Sequence, residues 1–386
     1  DDQWMVFSHY TERGWTVDNL WHIFTDFYGG QYAPLAFLSY LVLYAGFGYD
    51  PFYFHMFSLL LHIGCVCLVW KLISSLLRVH GGVSEKQILY VNFITTLLFA
   101  VHPINVEAVA WISALKVLLY AFFYLLGLLC YLRYIRTSKI FYYVLTIGCF
   151  LCSFWGKEQA VTFPLALLIV DWFTNRNMKN LEVWSEKMSF LIMAFFFGII
   201  TVLSQGKGPY EMIFPLYQRL LFGCFALVEY ITKSLLPVNL NFFYPFPIVL
   251  GEEPPLHYYL YPVVLLFLMG WIIAYRNNRY LVFGVLLFLV NLLFSIHLFN
   301  MSRHAIVADR YMYLSYVGIA FLIANGIWWL RKRLSYFKAA LVFLFFYCFF
   351  LSVYTFHYTK KWENTTMVKK YTKEVLEKRL NGSNHL

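Results

Sequence analysis

Residues 336–356 read YFKAALVFLFFYCFFLSVYTF, a nearly continuous apolar run whose one charged residue is Lys338. A run of about 20 apolar residues is long enough to cross a bilayer as an α-helix. Further apolar stretches of this kind precede it at 51–72, 88–101, 117–135, 139–155, 158–173, 188–204, 259–275, 281–298 and 311–330. The pattern predicts an all-α polytopic integral membrane protein, a bundle of about 10–11 spans.

The composition agrees with a membrane protein. Of the 386 residues, 61% are hydrophobic and 13% are charged, whereas soluble domains have about 25% charged residues. The net charge of +10 does not indicate nucleic acid as a partner, because most basic residues lie in short loops between apolar stretches. The positive-inside rule explains such loops, and the lipid bilayer is the predicted environment.

The distribution of lysine and arginine predicts which loops share a side of the membrane. The loops that we expect on the cytoplasmic side contain the basic residues of 71–86, 133–139, 174–187, 276–279 and 331–333. This assignment requires that segment 219–236, which contains Glu229 and Lys233, be re-entrant or interfacial. We then expect the outer side to contain 1–30, 102–116, 155–158, 205–218, 299–310 and the C-terminal tail. Segments 31–48 and 104–116 are predicted juxtamembrane helices.

Two of the polar clusters on the predicted outer side come early in the chain. Asp1 and Asp2 are paired carboxylates, which suit a general base, a group that holds an acceptor hydroxyl, or a divalent-cation site. The alternative is a solvated terminus. The second cluster contains His102, Glu107 and Lys116, where a helix beginning at a proline offers N–H groups to an anion. The alternative is an ordinary amphipathic connector.

Two more clusters follow. Lys157 and Glu158 lie between two apolar stretches, where charges are costly and usually functional; the alternative is an ion pair that joins the spans. The pairs Arg303-His304 and Asp309-Arg310 precede a span, and arginine suits phosphate; the alternative is a structural pair at a helix start. Together the clusters predict one site for an amphiphile with an anionic head, such as a lipid-linked phosphosugar. Lysine and arginine would stabilise the leaving phosphate, and a carboxylate would deprotonate the acceptor.

The motifs also resemble a known family. They are Asp1-Asp2, His102-Pro103-x-x-x-Glu107, Lys157-Glu158-x-x-Val161-Thr162 and Ala308-Asp309-Arg310-Tyr311. This set is similar to the membrane part of the transmembrane-and-tetratricopeptide-repeat-containing O-mannosyltransferases and their bacterial relatives.

The resemblance implies a GT-C glycosyltransferase that transfers a mannose-like sugar from a polyprenyl-phosphate carrier to a hydroxyl acceptor, protein Ser or Thr. It implies that Asp1 or Asp2 is the catalytic base, with the first span missing upstream. No cofactor is predicted from the residues, and any divalent cation would bind at Asp1 and Asp2. The residues expected to contact donor phosphate or acceptor are His102, Glu107, Lys116, Lys157, Glu158, Arg303, His304, Asp309 and Arg310.

The resemblance further implies a catalytic membrane domain at 1–357 and, at 358–386, a polar tail that leads toward an absent repeat domain. The short loops favour a bacterial inner membrane with the site facing the periplasm; in a eukaryote the corresponding place is the endoplasmic reticulum. Two other functions stay open from the residues. One is a transporter or flippase for lipid-linked anionic solutes, and the other is a scaffold with a vestigial site.

Overall fold

The computed structural model describes residues 5–205, 214–298 and 305–383. Within these ranges the chain is helical, and the bridges Tyr28–Gln31 and Tyr244–Val307 are isolated. Its α-helices are α1 His9–Glu12, α2 Val17–Thr25, α3 Pro34–Phe47, α4 Pro51–His80, α5 Glu85–Val101, α6 Val106–Ala110, α7 Leu115–Thr137, α8 Ile140–Gly156, α9 Phe163–Phe173, α10 Leu181–Gln205, α11 Leu216–Leu235, α12 Leu260–Ala274, α13 Arg279–Leu292, α14 Met312–Trp329, α15 Leu334–Thr359 and α16 Thr365–Ser383.

The lengths and apolar surfaces of these helices confirm a polytopic integral membrane protein. Six helical segments of the described chain are long and apolar enough to cross a membrane, and α5 with the bent segment that follows it makes a seventh. The six are Pro51–His80, Ile112–Thr137, Leu181–Ser204, Leu256–Ala274, Asp309–Lys332 and Leu334–Trp362. The apolar helices α3, α8 and α13 are shorter. Large side chains such as Phe267, 76% exposed, cover the outside of the bundle, as lipid contact requires.

Two predicted elements differ in detail. Segment 219–236 forms α11, which is not among the candidate spans, and its Lys233 is 2% exposed because it points into the protein. The tail is more ordered than a polar junction: α15 continues to Thr359, a 3-10 turn follows, and α16 runs from Thr365 to Ser383. The predicted boundary at 357 therefore falls inside a helix.

Close helix packing at glycine builds the core around α7. Helix α7 packs against α4 and α8, and a Cβ added to Gly156 at the end of α8 would lie 2.8 Å from the backbone nitrogen of Tyr120. Between α13 and α14, a Cβ on Gly318 would lie 2.5 Å from the carbonyl oxygen of Gly284. Small residues let membrane helices approach in this way. The packing fixes the ends of α7, α8 and α14, where the charged residues lie.

Candidate active site

The helix direction changes sharply after α5, and this bend points the side chain of Glu107 toward the interior of the protein. The segments Glu85–Val101 and Pro103–Ala110 differ in direction by 51°. Pro103 stands at the start of a 3-10 turn, where a missing N–H costs little, and His102 Nδ1 accepts a hydrogen bond of 3.2 Å from the N–H of Ile104. His102 is 1% exposed, so the structure places it as a buried cap of this turn.

A second interruption, at Trp111, divides the predicted helix 104–116. Helix α6 ends at Ala110, the backbone of the next residue, Trp111, is extended, and a second 3-10 turn precedes α7. Lys116 consequently lies in the first turn of α7. The sequence predicted that Lys116 and Glu107 share one helix. The structure places them on two helices, at the same end of the bundle.

Glu107 holds Arg310 through two hydrogen bonds. Its Oε1 accepts from Arg310 Nη1 at 2.5 Å, and its Oε2 accepts from the Arg310 backbone N–H at 2.6 Å. Glu107 is fully buried, and the side chain of Arg310 is 20% exposed. Charge-assisted pairs of this kind fix geometry. The carboxylate thus orients the guanidinium group of a residue that is 203 positions away in sequence.

Asp309 is fixed by other partners. It accepts hydrogen bonds from Tyr244 OH at 2.9 and 3.0 Å, from Lys233 Nζ at 3.2 Å and from the Asn241 backbone N–H at 3.2 Å. Lys233 also lies 3.9 Å from Glu229. An isolated buried carboxylate is costly, and a cation with several donors offsets that cost. Asp309 therefore ties α11 and the 241–244 loop to the start of α14.

Aromatic rings position the cations. The guanidinium carbon of Arg310 lies 5.3 Å from the ring centroid of Trp111 and 5.2 Å from that of Tyr311. Nζ of Lys157, a residue that is 3% exposed, lies 4.7 Å from the same Tyr311 ring. Ring faces attract cations. One tyrosine ring therefore holds two cations from different parts of the chain near each other.

Lys116 adds a third cation to this region. Its Nζ donates to the side-chain oxygen of Gln31, a neutral partner, and it interacts electrostatically with Glu158, Arg310 and Tyr311. Glu158 is half-buried at the start of its 3-10 turn. The structure thus brings together Glu107, Lys116, Lys157, Glu158, Asp309 and Arg310, which the sequence predicted as one site.

The arrangement suits an anion. Both carboxylates, Glu107 and Asp309, accept hydrogen bonds from cations. The cations have further contacts with uncharged groups: Arg310 and Lys157 contact an aromatic ring, and Lys116 bonds to a neutral amide. Such cations can neutralise a phosphate group. Asp1, Asp2, Arg303 and His304 lie outside the described residues. Within 5–205, 214–298 and 305–383, no group of three or more His, Cys, Asp or Glu side chains is placed to hold a metal ion.

Sequence reasoning missed several residues that build the site. Lys233 was noticed as a charge in an apolar helix but was interpreted as interfacial. Tyr244 and Trp111 gave no signal, because tyrosine and tryptophan are common in membrane proteins. Asn241 was not singled out either. A buried lysine four residues after Glu229 is the one signal that could have pointed to an ionic partner elsewhere.

A second buried ionic network lies at the other end of α7. Asp171 and Lys187 are both fully buried and lie 2.6 Å apart, and Arg176 contacts Glu186 through two hydrogen bonds of 2.6 and 3.0 Å. Tyr131 OH donates to Asp171 at 2.8 Å. The hydrogen bonds to Glu186 raise the pKa of Arg176 above its ordinary value. We call these five residues the Asp171 cluster.

The position of the Asp171 cluster was not predicted. Arg176 and Lys187 were expected to be solvated positive charges of a cytoplasmic loop, but the structure pairs them inside the protein, whereas Lys179 of the same loop is exposed. Tyr131 and Lys116 are 15 residues apart on one helix, about 22 Å at 1.5 Å per residue. The two ionic groups therefore occupy opposite ends of α7.

Curated proteins of one kind match this chain. Protein O-mannosyl-transferase TMTC2 of Mus musculus is 32% identical over 189 residues, which are 45% of this chain and 21% of that protein. The chain is similar to protein O-mannosyl-transferases. TMTC4 of Homo sapiens is 31% identical over 167 residues, 38% of this chain and 22% of that protein.

A third TMTC relative, of lower identity, is also named a protein O-mannosyl-transferase. Protein O-mannosyl-transferase Tmtc3 of Drosophila melanogaster is 28% identical over 172 residues, 40% of this chain and 18% of that protein. The resemblance noted from the motifs is confirmed by these TMTC relatives. The matches span about a fifth of the relatives' own length. No family model matches the chain, and no solved structure matches it.

Proposed function

We propose that this chain is the membrane part of a glycosyltransferase that transfers a mannose-like sugar from a polyprenyl-phosphate donor to a Ser or Thr hydroxyl of a protein. The observation that carries the proposal is Arg310, which buried Glu107 holds next to Lys157 on the Tyr311 ring. Supporting it, the TMTC relatives are named protein O-mannosyl-transferases.

The cations have a clear role in such a reaction. The acceptor oxygen forms a bond to C1 of the sugar while the bond from C1 to the phosphate oxygen breaks, and negative charge develops on the departing polyprenyl phosphate. Fixed donors that face this charge lower the barrier. Arg310 offers a planar pair of donors, and Lys116 and Lys157 add compact charges. His102 caps the turn that leads to Glu107, and Glu158 interacts electrostatically with Lys116.

The catalytic base in this proposal is Asp1 or Asp2. Glu107 and Asp309 each accept hydrogen bonds from a cation, so they are placed to hold cations and not to take a proton from an acceptor. Met5, three residues after Asp2, belongs to the same buried cluster as Leu115 and Leu119, which flank Lys116. The base removes the hydroxyl proton as the acceptor attacks C1 from the face opposite the phosphate, so the configuration inverts.

The finer assignments belong to the same proposal. The fold would be of the GT-C type, and the site would face the periplasm of a bacterial inner membrane or the lumen of the endoplasmic reticulum. The proposal rests here on the predicted topology. Any divalent cation would bind at Asp1 and Asp2, and Arg303 and His304 would add to the phosphate contacts.

The test uses membranes that contain the full chain. They are incubated with a panel of polyprenyl-phosphate sugars and Ser/Thr peptides, and the products are identified by mass spectrometry. We expect sugar transfer, a loss of about 10²–10⁴-fold when both Asp1→Asn and Asp2→Asn are introduced, and loss on chelation if a cation is required. Unchanged transfer in the double variant would refute the base assignment. Movement of the lipid across liposomes without transfer would instead support the transporter.

A further inference from the structure

A cavity of about 680 Å³ lies between α16 and the loops next to the ionic site. Its lining includes Ala110, the last residue of the helix of Glu107, with Trp111 and Ile112 directly after it, and Phe242 and Phe243, which follow Asn241. Helix α16 closes the other side. This volume is within the range of about 300–1,000 Å³ that is usual for ligand sites.

Three aromatic rings form one wall of the cavity. The ring centroid of Trp111 lies 5.2 Å from that of Phe242 and 6.2 Å from that of Trp362, and the centroids of Phe242 and Trp362 are 6.0 Å apart. Trp111 also contacts the guanidinium group of Arg310. The cavity therefore adjoins the cations through a shared tryptophan, and its aromatic wall suits an apolar or aromatic side chain.

The charges around the cavity do not favour an anion. On the side formed by the C-terminal segment, Lys369 and Lys373 are matched by Glu363 and Glu377, and Lys373 lies 3.8 Å from Glu377. In the neighbouring site, cations gather on the face of one tyrosine ring. The two adjacent spaces differ in electrostatics, so a lipid phosphate is better suited to the cations and a ligand without net charge is better suited to the cavity.

Polar groups on α16 can bond a polypeptide backbone. The Thr372 hydroxyl is buried at the cavity and has no hydrogen-bond partner in the part of the chain that the structure describes. A buried hydroxyl without a partner is costly. Asn364, which directly precedes α16, lines the same cavity, and its side-chain oxygen accepts a hydrogen bond of 2.9 Å from the Met367 N–H.

We propose that this cavity binds the acceptor polypeptide: an extended segment next to the hydroxyl, with an apolar or aromatic side chain on the three-ring wall and backbone groups bonded to α16. The inference rests on the proposed function, because it names the acceptor subsite of that reaction. It also gives the C-terminal helix a direct part in acceptor binding. The acceptor hydroxyl would then lie beside the cations that hold the donor phosphate.

The experiment compares two variants on the same helix. Thr372→Trp fills the cavity, and Thr366→Trp makes the same replacement at an exposed position that does not line it. Binding of a panel of fluorescent synthetic peptides, each with one threonine and different flanking residues, is measured with the purified full chain. Kinetics with peptide and polyprenyl-phosphate mannose follow. We expect Thr372→Trp to weaken peptide binding and raise the peptide KM by about tenfold, while kcat and the donor KM stay constant.

The outcomes separate the two proposals. Phe243→Ala removes part of the cavity lining without filling the cavity, and it should weaken binding of the same peptides. The test therefore does not depend on one bulky replacement. Peptide binding that is equal in all variants, a raised donor KM, or no binding to the unmodified chain overturns the cavity proposal. Peptide binding without any sugar transfer overturns the proposed function and leaves the cavity assignment standing.

Discussion

An Arg–Glu ion pair lies near each end of α7, and the two pairs are similar in length and in the exposure of the arginine. Arg310 and Glu107 are 2.5 Å apart and Arg176 and Glu186 are 2.6 Å apart, with arginine side chains that are 20% and 21% exposed. Their surroundings differ. In the Asp171 cluster, Lys187 contacts both carboxylates. At the Glu107 end, Lys157 faces the Tyr311 ring and Lys116 bonds to Gln31.

This difference teaches how to distinguish an ionic group that stabilises a fold from one that can bind a ligand. The Asp171 cluster has two carboxylates and two cations in mutual contact, all within residues 131–187, so its charges offset one another. The Glu107 end joins segments about two hundred residues apart and directs cations toward rings and a neutral amide. We therefore propose that an ion pair of the same kind has a structural role at one end and a binding role at the other.

The largest effect is expected in the Asp171 cluster. Lys187→Met leaves Asp171 buried with fewer donors, so unfolding should be easier by about 3–5 kcal/mol. Thermal unfolding in detergent measures this loss, and transfer per folded molecule should be unchanged. The double variant Lys187→Met with Asp171→Asn should lose less stability than the sum of the two single variants, because it no longer buries the Asp171 carboxylate without its lysine partner. Additive losses would contradict a coupled cluster.

The next effect separates the two arginines. Arg310→Lys keeps a positive charge for Glu107 but removes the planar fork of donors, so kcat should fall by about 10²–10³-fold. Arg176→Lys is the matched control at an equally exposed position, and it should leave kcat unaltered. Single-turnover transfer with saturating donor measures both. Equal losses in the two variants would show that the ends of α7 do not differ in function.

The smallest effect concerns Lys116, whose hydrogen-bond partner is neutral. Lys116→Met leaves no carboxylate of an ion pair behind, so the melting temperature should change little. The donor KM should rise by about tenfold, since one cation that faces the phosphate is lost. Gln31→Leu removes the partner and keeps the charge, and its donor KM should change less. A large stability loss in Lys116→Met would assign Lys116 to the fold instead.

Much of the fold could be predicted from hydrophobic runs and turn residues. The helices 34–47, 51–80, 115–137 and 334–359 follow apolar stretches that the sequence marks directly. The motif residues Glu107, Lys157 and Arg310 could also be singled out, because charges are rare beside spans. Their mutual contacts could not be predicted, since those depend on helices far apart in sequence.

Other features required the packed structure. The predicted helix 104–116 is interrupted at Trp111, whose backbone is extended, and Glu107 before the interruption contacts Arg310. The charges of the 174–187 loop were interpreted by the positive-inside rule, which describes exposed residues and not a lysine that folds back onto Asp171. The tail was expected to hold at most one partial helix because of its polar composition, and neither the length of α16 nor the packing of Trp362 and Tyr358 against Val106 and Leu240 was predicted.

The sequence by itself determined that this protein is a helical membrane protein, because long apolar segments have no other stable place. Its motifs also indicated the family resemblance that the alignments confirm. Tertiary structure alone decided which charges meet. Ionic contacts depend on distances of a few ångströms between residues such as Glu107 and Arg310, and helix packing sets those distances. For the same reason, the different partners of the charged residues at the two ends of α7 could not be predicted from the sequence and are shown by the structure.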